Sequence, residues 1–184
     1  MEREAKSSKF PIGSKLPIFT LPAAQGGEAG SDTLTGAKLS LVAFTCNHCP
    51  YVKGSEEMLV ATVREFEGQG LRAIAISSND AAQYPEDGFD AMKVKAEKMN
   101  LPYPYLYDEG QQVARLFDAE CTPEVYLFNE NGVLIYHGAI NDSPRDPSKV
   151  TVNFIEKAIK QALSGGSPDP AFERPIGCSI KWTR

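Results

Sequence analysis

The sequence predicts an α/β fold in which a mixed central sheet is flanked by helices. Three observations predict it. Aliphatic runs at residues 39–44 and 71–76 each lead towards a segment of helical character, and parallel strands need such crossovers. The runs at 125–128 and 133–137 flank Asn129-Glu130-Asn131-Gly132, where Asn-Gly is a strong hairpin signal because both residues tolerate positive φ. A final segment at 151–163 carries Val152, Ile155, Ile159 and Leu163 on one side, completing the order β-α-β-α-β-β-α.

Each element has a local reason. Residues 1–9 are polar, and 1–11 are expected to form a flexible N-terminus. Short apolar pieces between 12 and 34, broken by Pro17, Pro22 and Gly26-Gly27, predict a hairpin lead-in. In the helix at 51–66, Met58, Leu59, Thr62, Val63 and Phe66 recur at three- and four-residue steps, and Gly68 and Gly70 end it. A Pro/Asp/Gly loop at 85–88 precedes a helix at 89–99. A short aromatic stretch at 103–107 and a single helical stretch at 111–117 follow. Ser164-Gly165-Gly166-Ser167-Pro168 stops the last helix. The domain therefore spans 12–164, and a Pro-rich tail, 165–184, packs on it with Cys178 and Trp182.

With 184 residues, 42% hydrophobic and 23% charged, the chain has the size and composition of one soluble domain with a full core. A net charge of -5 and the lack of a Lys/Arg run argue against nucleic-acid or anionic-membrane partners. No apolar stretch approaches the roughly 18 residues of a membrane span. The charged start Met1-Glu2-Arg3-Glu4-Ala5-Lys6 leads into no signal core, so a cytoplasmic location is expected. Nothing calls for a cofactor, and no pattern speaks to oligomeric state. Four cysteines are too few for a secreted disulfide scaffold, and a close pair in a reducing compartment points to catalysis or metal binding.

That pair is Cys46-Asn47-His48-Cys49, between the strand at 39–44 and the helix that follows. A helix N-terminus favours negative charge, so Cys46, placed near the N-cap, is expected to have a pKa below the usual thiol value of about 8.5. His48 supplies an imidazolium or an N–H donor to the same thiolate. Cys46, first and outermost, then attacks a partner disulfide; Cys49, one turn into the helix and more buried, resolves the mixed disulfide. A metal site is the competing reading. It needs two further ligands, for which Cys121, Cys178, His48 and His137 are the soft candidates, and without a second CxxC no metal is expected.

Phe44-Thr45-Cys46-Asn47-His48-Cys49-Pro50, with Thr122-Pro123-Glu124-Val125-Tyr126-Leu127-Phe128 further on, resembles the thioredoxin-like redoxins. These group AhpC/TSA (peroxiredoxin-like) proteins with TlpA/ResA-type thiol-disulfide oxidoreductases. Ser77-Ser78-Asn79-Asp80, Tyr84-Pro85-Glu86-Asp87 and Ile176-Gly177-Cys178-Ser179-Ile180-Lys181-Trp182 resemble one bacterial subgroup, and the similarity spans residues 12–182. The resemblance implies a thioredoxin-like fold, Cys46 as nucleophile, Cys49 as resolver and Pro123 in the cis form. A substrate peptide would then pair with the Thr122 backbone by strand addition.

The chain departs from that pattern in places. Thr45 stands where thioredoxins carry Trp, and Ser40 stands in place of their buried aspartate. A peroxiredoxin would have Thr three residues before its reactive cysteine, whereas Thr45 is four before Cys49. The expected function is a thiol-disulfide oxidoreductase acting on protein or small disulfides, with a separate reductant. The alternatives are a thiol peroxidase and a metal-binding or partner-binding module. Cys121, beside Thr122-Pro123, and Cys178 are candidates for an additional redox centre if the tail folds back. His137 is expected to be structural.

Overall fold

The computed structural model describes residues 10–183. The hairpin forms from β1 (Thr20–Pro22) and β2 (Glu28–Gly30), with Thr20 opposite Gly30. The central strand is β3 (Leu39–Thr45), buried along its whole length. It pairs in parallel with β4 (Leu71–Ser77), which pairs in parallel with β5 (Tyr105–Tyr107). Its other side pairs antiparallel with β7 (Glu124–Asn129), and β7 pairs antiparallel with β8 (Leu134–Gly138). The sheet order is β5-β4-β3-β7-β8-β9, with β9 (Phe172–Glu173) running parallel to β8. The remaining short strands are β6 (Cys121–Thr122) and β10 (Cys178–Ser179), which pair with each other.

Alternation along β3 divides the core in two. Leu39, Leu41 and Ala43 face α1 (Pro50–Phe66), α2 (Phe89–Met99) and α4 (Phe154–Leu163), packing on Leu59, Val63, Met92, Ile155 and Ile159. Val42 and Phe44 face the hairpin and the short α3 (Gln112–Leu116), where Phe19, Val113, Phe117, Tyr126 and Phe128 gather. Burial on both faces explains why β3 reads as an unbroken apolar run rather than an alternating one. Among the described residues, no helix is long and apolar enough to cross a membrane.

The structure corrects several boundaries. Phe10 is buried against Phe117, with ring centroids 5.2 Å apart, so the ordered domain begins before residue 12. The rest of the expected flexible N-terminus, residues 1–9, lies outside the described residues. The last helix begins at Phe154, because Asn153 caps it by accepting from the Glu156 N–H. Thr151 and Val152 instead donate their N–H groups to Asp142 at 2.9 and 3.1 Å. Tyr105–Tyr107 is a sheet-edge strand. The tail contributes β9 because Gly138, at φ 132°, lets it approach: a Cβ there would lie 1.7 Å from the Glu173 carbonyl oxygen.

Phe117 anchors the hairpin-side core, with Phe19, Phe44 and Tyr126 ring centroids at 5.9, 5.4 and 5.1 Å. Phe117→Ala is expected to cost about 3–5 kcal/mol of stability, read as a lower urea midpoint with unchanged slope.

Candidate active site

β3 ends at Thr45 and α1 begins at Pro50, so the Cys46-Asn47-His48-Cys49 turn lies wholly between them. Proline at the first helical position excludes the α conformation for the residue before it. Cys49 is accordingly extended (φ -64°, ψ 125°) and is itself the N-cap of α1. Cys46, expected near the N-cap, lies three residues before it. The expected difference in access is also absent, since Cys46 and Cys49 are both 0% exposed.

The two thiols differ in their hydrogen-bond surroundings. Cys49 Sγ accepts from the Val52 N–H, the Cys178 N–H and the thiols of Cys46 and Cys178. Led by the Cys46 thiol and opposed by burial, these donors pull the Cys49 pKa down to about 4. Cys46 is pushed far up by its hydrogen bond to Cys49, by burial and by the charge of Asp87. Cys49 Sγ also lies 3.3 Å from the Thr122 carbonyl oxygen, an acceptor that opposes a thiolate. More donors than acceptors therefore converge on the Cys49 sulfur. Cys46 Sγ lies 3.4 Å from Thr122 Oγ1. The Thr122–Pro123 bond is cis.

Asp87 holds the turn. Its fully buried carboxylate accepts from the Asn47 N–H (2.6 Å), the His48 N–H (3.1 Å) and Asn79 Nδ2 (2.8 Å), and meets His48 Nδ1 at 2.5 Å. The His48 ring stacks on Tyr84 at 4.9 Å. His48 is thus committed to Asp87 and orients the turn; it forms no hydrogen bond to Cys46 or Cys49 among the described contacts, correcting its expected place beside the thiolate. Lys95 Nζ donates to the Cys46 carbonyl at 3.0 Å and pairs with Glu56 at 2.6 Å. The Tyr105 hydroxyl donates to Asn47 Oδ1 at 3.0 Å. The sequence reads Asp87, in an acidic Pro85-Glu86-Asp87-Gly88 loop, as part of a solvated turn, whereas it is fully buried, and Lys95 went unread because a helix lysine looks like a solvated side chain.

Cys46, His48 and Asp87 also bring one ligand atom each within 4.8 Å of one another. The Asp87 oxygens are already taken up by nitrogen donors, so this cluster works as a hydrogen-bonded brace. A metal would have to displace those donors.

The expected substrate edge is occupied. Cys178 pairs with Thr122 and Ser179 with Cys121, both antiparallel, so the chain's own tail lies along Thr122. Gly177 permits this, because a Cβ there would come 2.1 Å from the Thr122 carbonyl oxygen. The tail is fastened further on: the Ile180 N–H donates to Glu120 O (3.0 Å), the Lys181 N–H to Asn79 Oδ1 (2.9 Å) and the Thr183 N–H to Gln111 Oε1 (2.9 Å). Trp182 lies under Arg115, whose guanidinium is 4.5 Å from the ring centre.

Neighbouring strand residues point to opposite faces, so Cys121 and Cys178 project apart and form no second redox pair. Burial and the Glu124 carboxylate push the Cys121 thiol well up. Glu124 is itself satisfied by the Cys121 N–H (3.1 Å), the Tyr126 hydroxyl (2.9 Å) and His137 Nε2 (2.6 Å), which places His137 in a buried structural network. Cys178 instead packs on Cys46, Cys49 and Val52, and burial raises its pKa to about 11.

A cysteine pair at the start of the helix after the central strand, facing a cis proline, is the arrangement of a thioredoxin-like redoxin. The AhpC/TSA family model matches residues 12–137, and the chain belongs to the AhpC/TSA family. An uncharacterized conserved protein from Geobacillus kaustophilus is 40% identical, with a TM-score of 0.88 over 95% of this chain and 93% of that one. Peroxiredoxin Q of Arabidopsis thaliana is 26% identical over 160 residues, 82% of this chain and 69% of its own length. A secreted Mycobacterium tuberculosis disulfide oxidoreductase homologous to DsbE, at 15% identity, has the same fold, with a TM-score of 0.58 over 80% of this chain and 96% of that one.

Two outcomes follow from the charge and its brace. An unfolded thiol titrates near about 8.5, above the folded value of about 4 for Cys49. The stabilisation this depression supplies is complete above the unfolded pKa and is lost as pH falls towards 4. Urea titrations should therefore show wild-type stability falling more steeply than that of Cys49→Ser as pH falls from about 8.5. Asp87→Asn, which turns an amide towards the existing N–H donors, is expected to cost about 1–3 kcal/mol in the same assay.

Proposed function

We propose that this protein is a thiol-disulfide oxidoreductase in which Cys49 is the attacking sulfur. The observation that carries the reading is the position of the Cys49 sulfur at the N-cap of α1, with the thiols of Cys46 and Cys178 beside it. The roles assigned from sequence order are thereby exchanged: Cys46, held protonated beside Asp87, keeps the charge on its neighbour. Cys49 attacks one sulfur of a disulfide. The S–S bond breaks, one product leaves as a thiolate that takes up a proton, and a mixed disulfide stays on Cys49. A neighbouring thiol then attacks the Cys49 sulfur and expels the second product, and a separate thiol reductant restores the enzyme.

The charge on Cys49 makes it a good leaving group, which favours an easily reduced, oxidising disulfide over a strongly reducing one. The peroxiredoxin Q relatives favour hydroperoxides as a second substrate class for the same thiolate. There, sulfur attack on the peroxide would yield a sulfenic acid and water or an alcohol.

Turnover of a small disulfide with a thiol reductant tests the reading. Cys49→Ser is expected to fall to the uncatalysed rate, while Cys46→Ser still forms the adduct on Cys49, at a rate that now depends on pH near neutrality. Full activity in Cys49→Ser would overturn the assignment. Peroxide consumption by the same variants measures the second substrate class.

A further inference from the structure

Cys178 sits where strand addition would place the cysteine of a bound substrate. An extended peptide adding to the Thr122 edge would pair with Thr122 in antiparallel register and present one side chain to the reactive sulfur. The tail already does this, with Cys178 opposite Thr122 and its thiol packed on Cys49. We propose that Cys178 is the resolving thiol of the reaction, closing a Cys49–Cys178 disulfide across the Thr122 edge. The inference rests on Cys49 as the attacking sulfur and deepens that reading by naming its partner and its substrate class.

Two thiols touch Cys49, and their surroundings separate them. Cys46 is fully buried at the end of β3, beside the Asp87 carboxylate, which opposes the deprotonation that an attacking thiol requires. Its turn is also pinned through Asn47 and His48 to Asp87, and through its own carbonyl to Lys95. Cys178 is only partly buried; burial and Cys49 raise its pKa, and Lys181 and Arg145 oppose that rise. Its strand is a two-residue ladder. That ladder lies outside the central sheet.

The tail also bears on the substrate. A polypeptide must unpair Cys178 from Thr122 to occupy that edge, whereas a low-molecular-weight disulfide needs only the smaller opening that uncovers the buried Cys49 sulfur. With such a disulfide as oxidant, the Cys49 thiolate takes one sulfur and releases the first small thiolate, which accepts the Cys178 proton. The Cys178 thiolate then attacks the Cys49 sulfur and releases the second, which is protonated by solvent. Two protein sulfurs are oxidised, and one small disulfide is reduced to two thiols.

The test treats the fully reduced full-length protein with oxidised glutathione, quenches with acid at short times, and maps cysteine linkages by mass spectrometry. Cys49–Cys178 is expected as the first protein disulfide. In Cys178→Ser, a Cys49–glutathione adduct should accumulate several-fold over wild type. A first linkage between Cys46 and Cys49, or an adduct no more abundant in Cys178→Ser, would overturn the role of Cys178 and leave Cys49 as the attacker. Glutathione appearing on Cys46 or Cys178 while Cys49 stays reduced would overturn both readings.

Discussion

A thiolate can persist out of water only where fixed donors replace its hydration, and the junction between β3 and α1 is organised around that requirement. Cys49 has no exposed surface, yet its sulfur is met by the Val52 and Cys178 N–H groups and by two thiols. The donors arrive from different parts of the chain: the first turn of α1, the end of β3 and the C-terminal tail.

The rest of the architecture holds these donors in register. β3 delivers Cys46 from the middle of the sheet, and Asp87 arrests the chain before Pro50 starts the helix. On the far side, Glu124 gathers the 120–121 backbone, Tyr126 and His137 into one buried network, so that Thr122 and Pro123 are presented rigidly. The two buried carboxylates act on the two segments that meet at the sulfurs. Lys95 and Glu56 tie α2 and α1 to the same turn.

Much of this fold is legible in the sequence. The helix at 89–99 coincides with α2 (Phe89–Met99), and the Asn131-Gly132 hairpin lies between β7 and β8. Those elements carry their information locally, in periodicity and turn chemistry. The cap turned on one residue: Pro50 disfavours the α conformation for Cys49 and makes it the N-cap, a position that counting cysteines from the N-terminus does not single out. Asp87 was missed because burial of a turn carboxylate depends on donors elsewhere in the chain, such as Asn79. The tail strand at Cys178–Ser179 is too short for any periodicity, and it is fixed by distant groups on Glu120, Asn79 and Gln111.

The central claim is that Cys49, not Cys46, carries the charge. Nuclear magnetic resonance of protein labelled with ¹³C at cysteine Cβ, followed through a pH titration and assigned with single Cys→Ser variants, measures each sulfur separately. The account predicts that Cys49 titrates at about 4 while Cys46 stays protonated through the neutral range. Titration of Cys46 at acidic pH, with Cys49 at the ordinary thiol value near about 8.5, would contradict it.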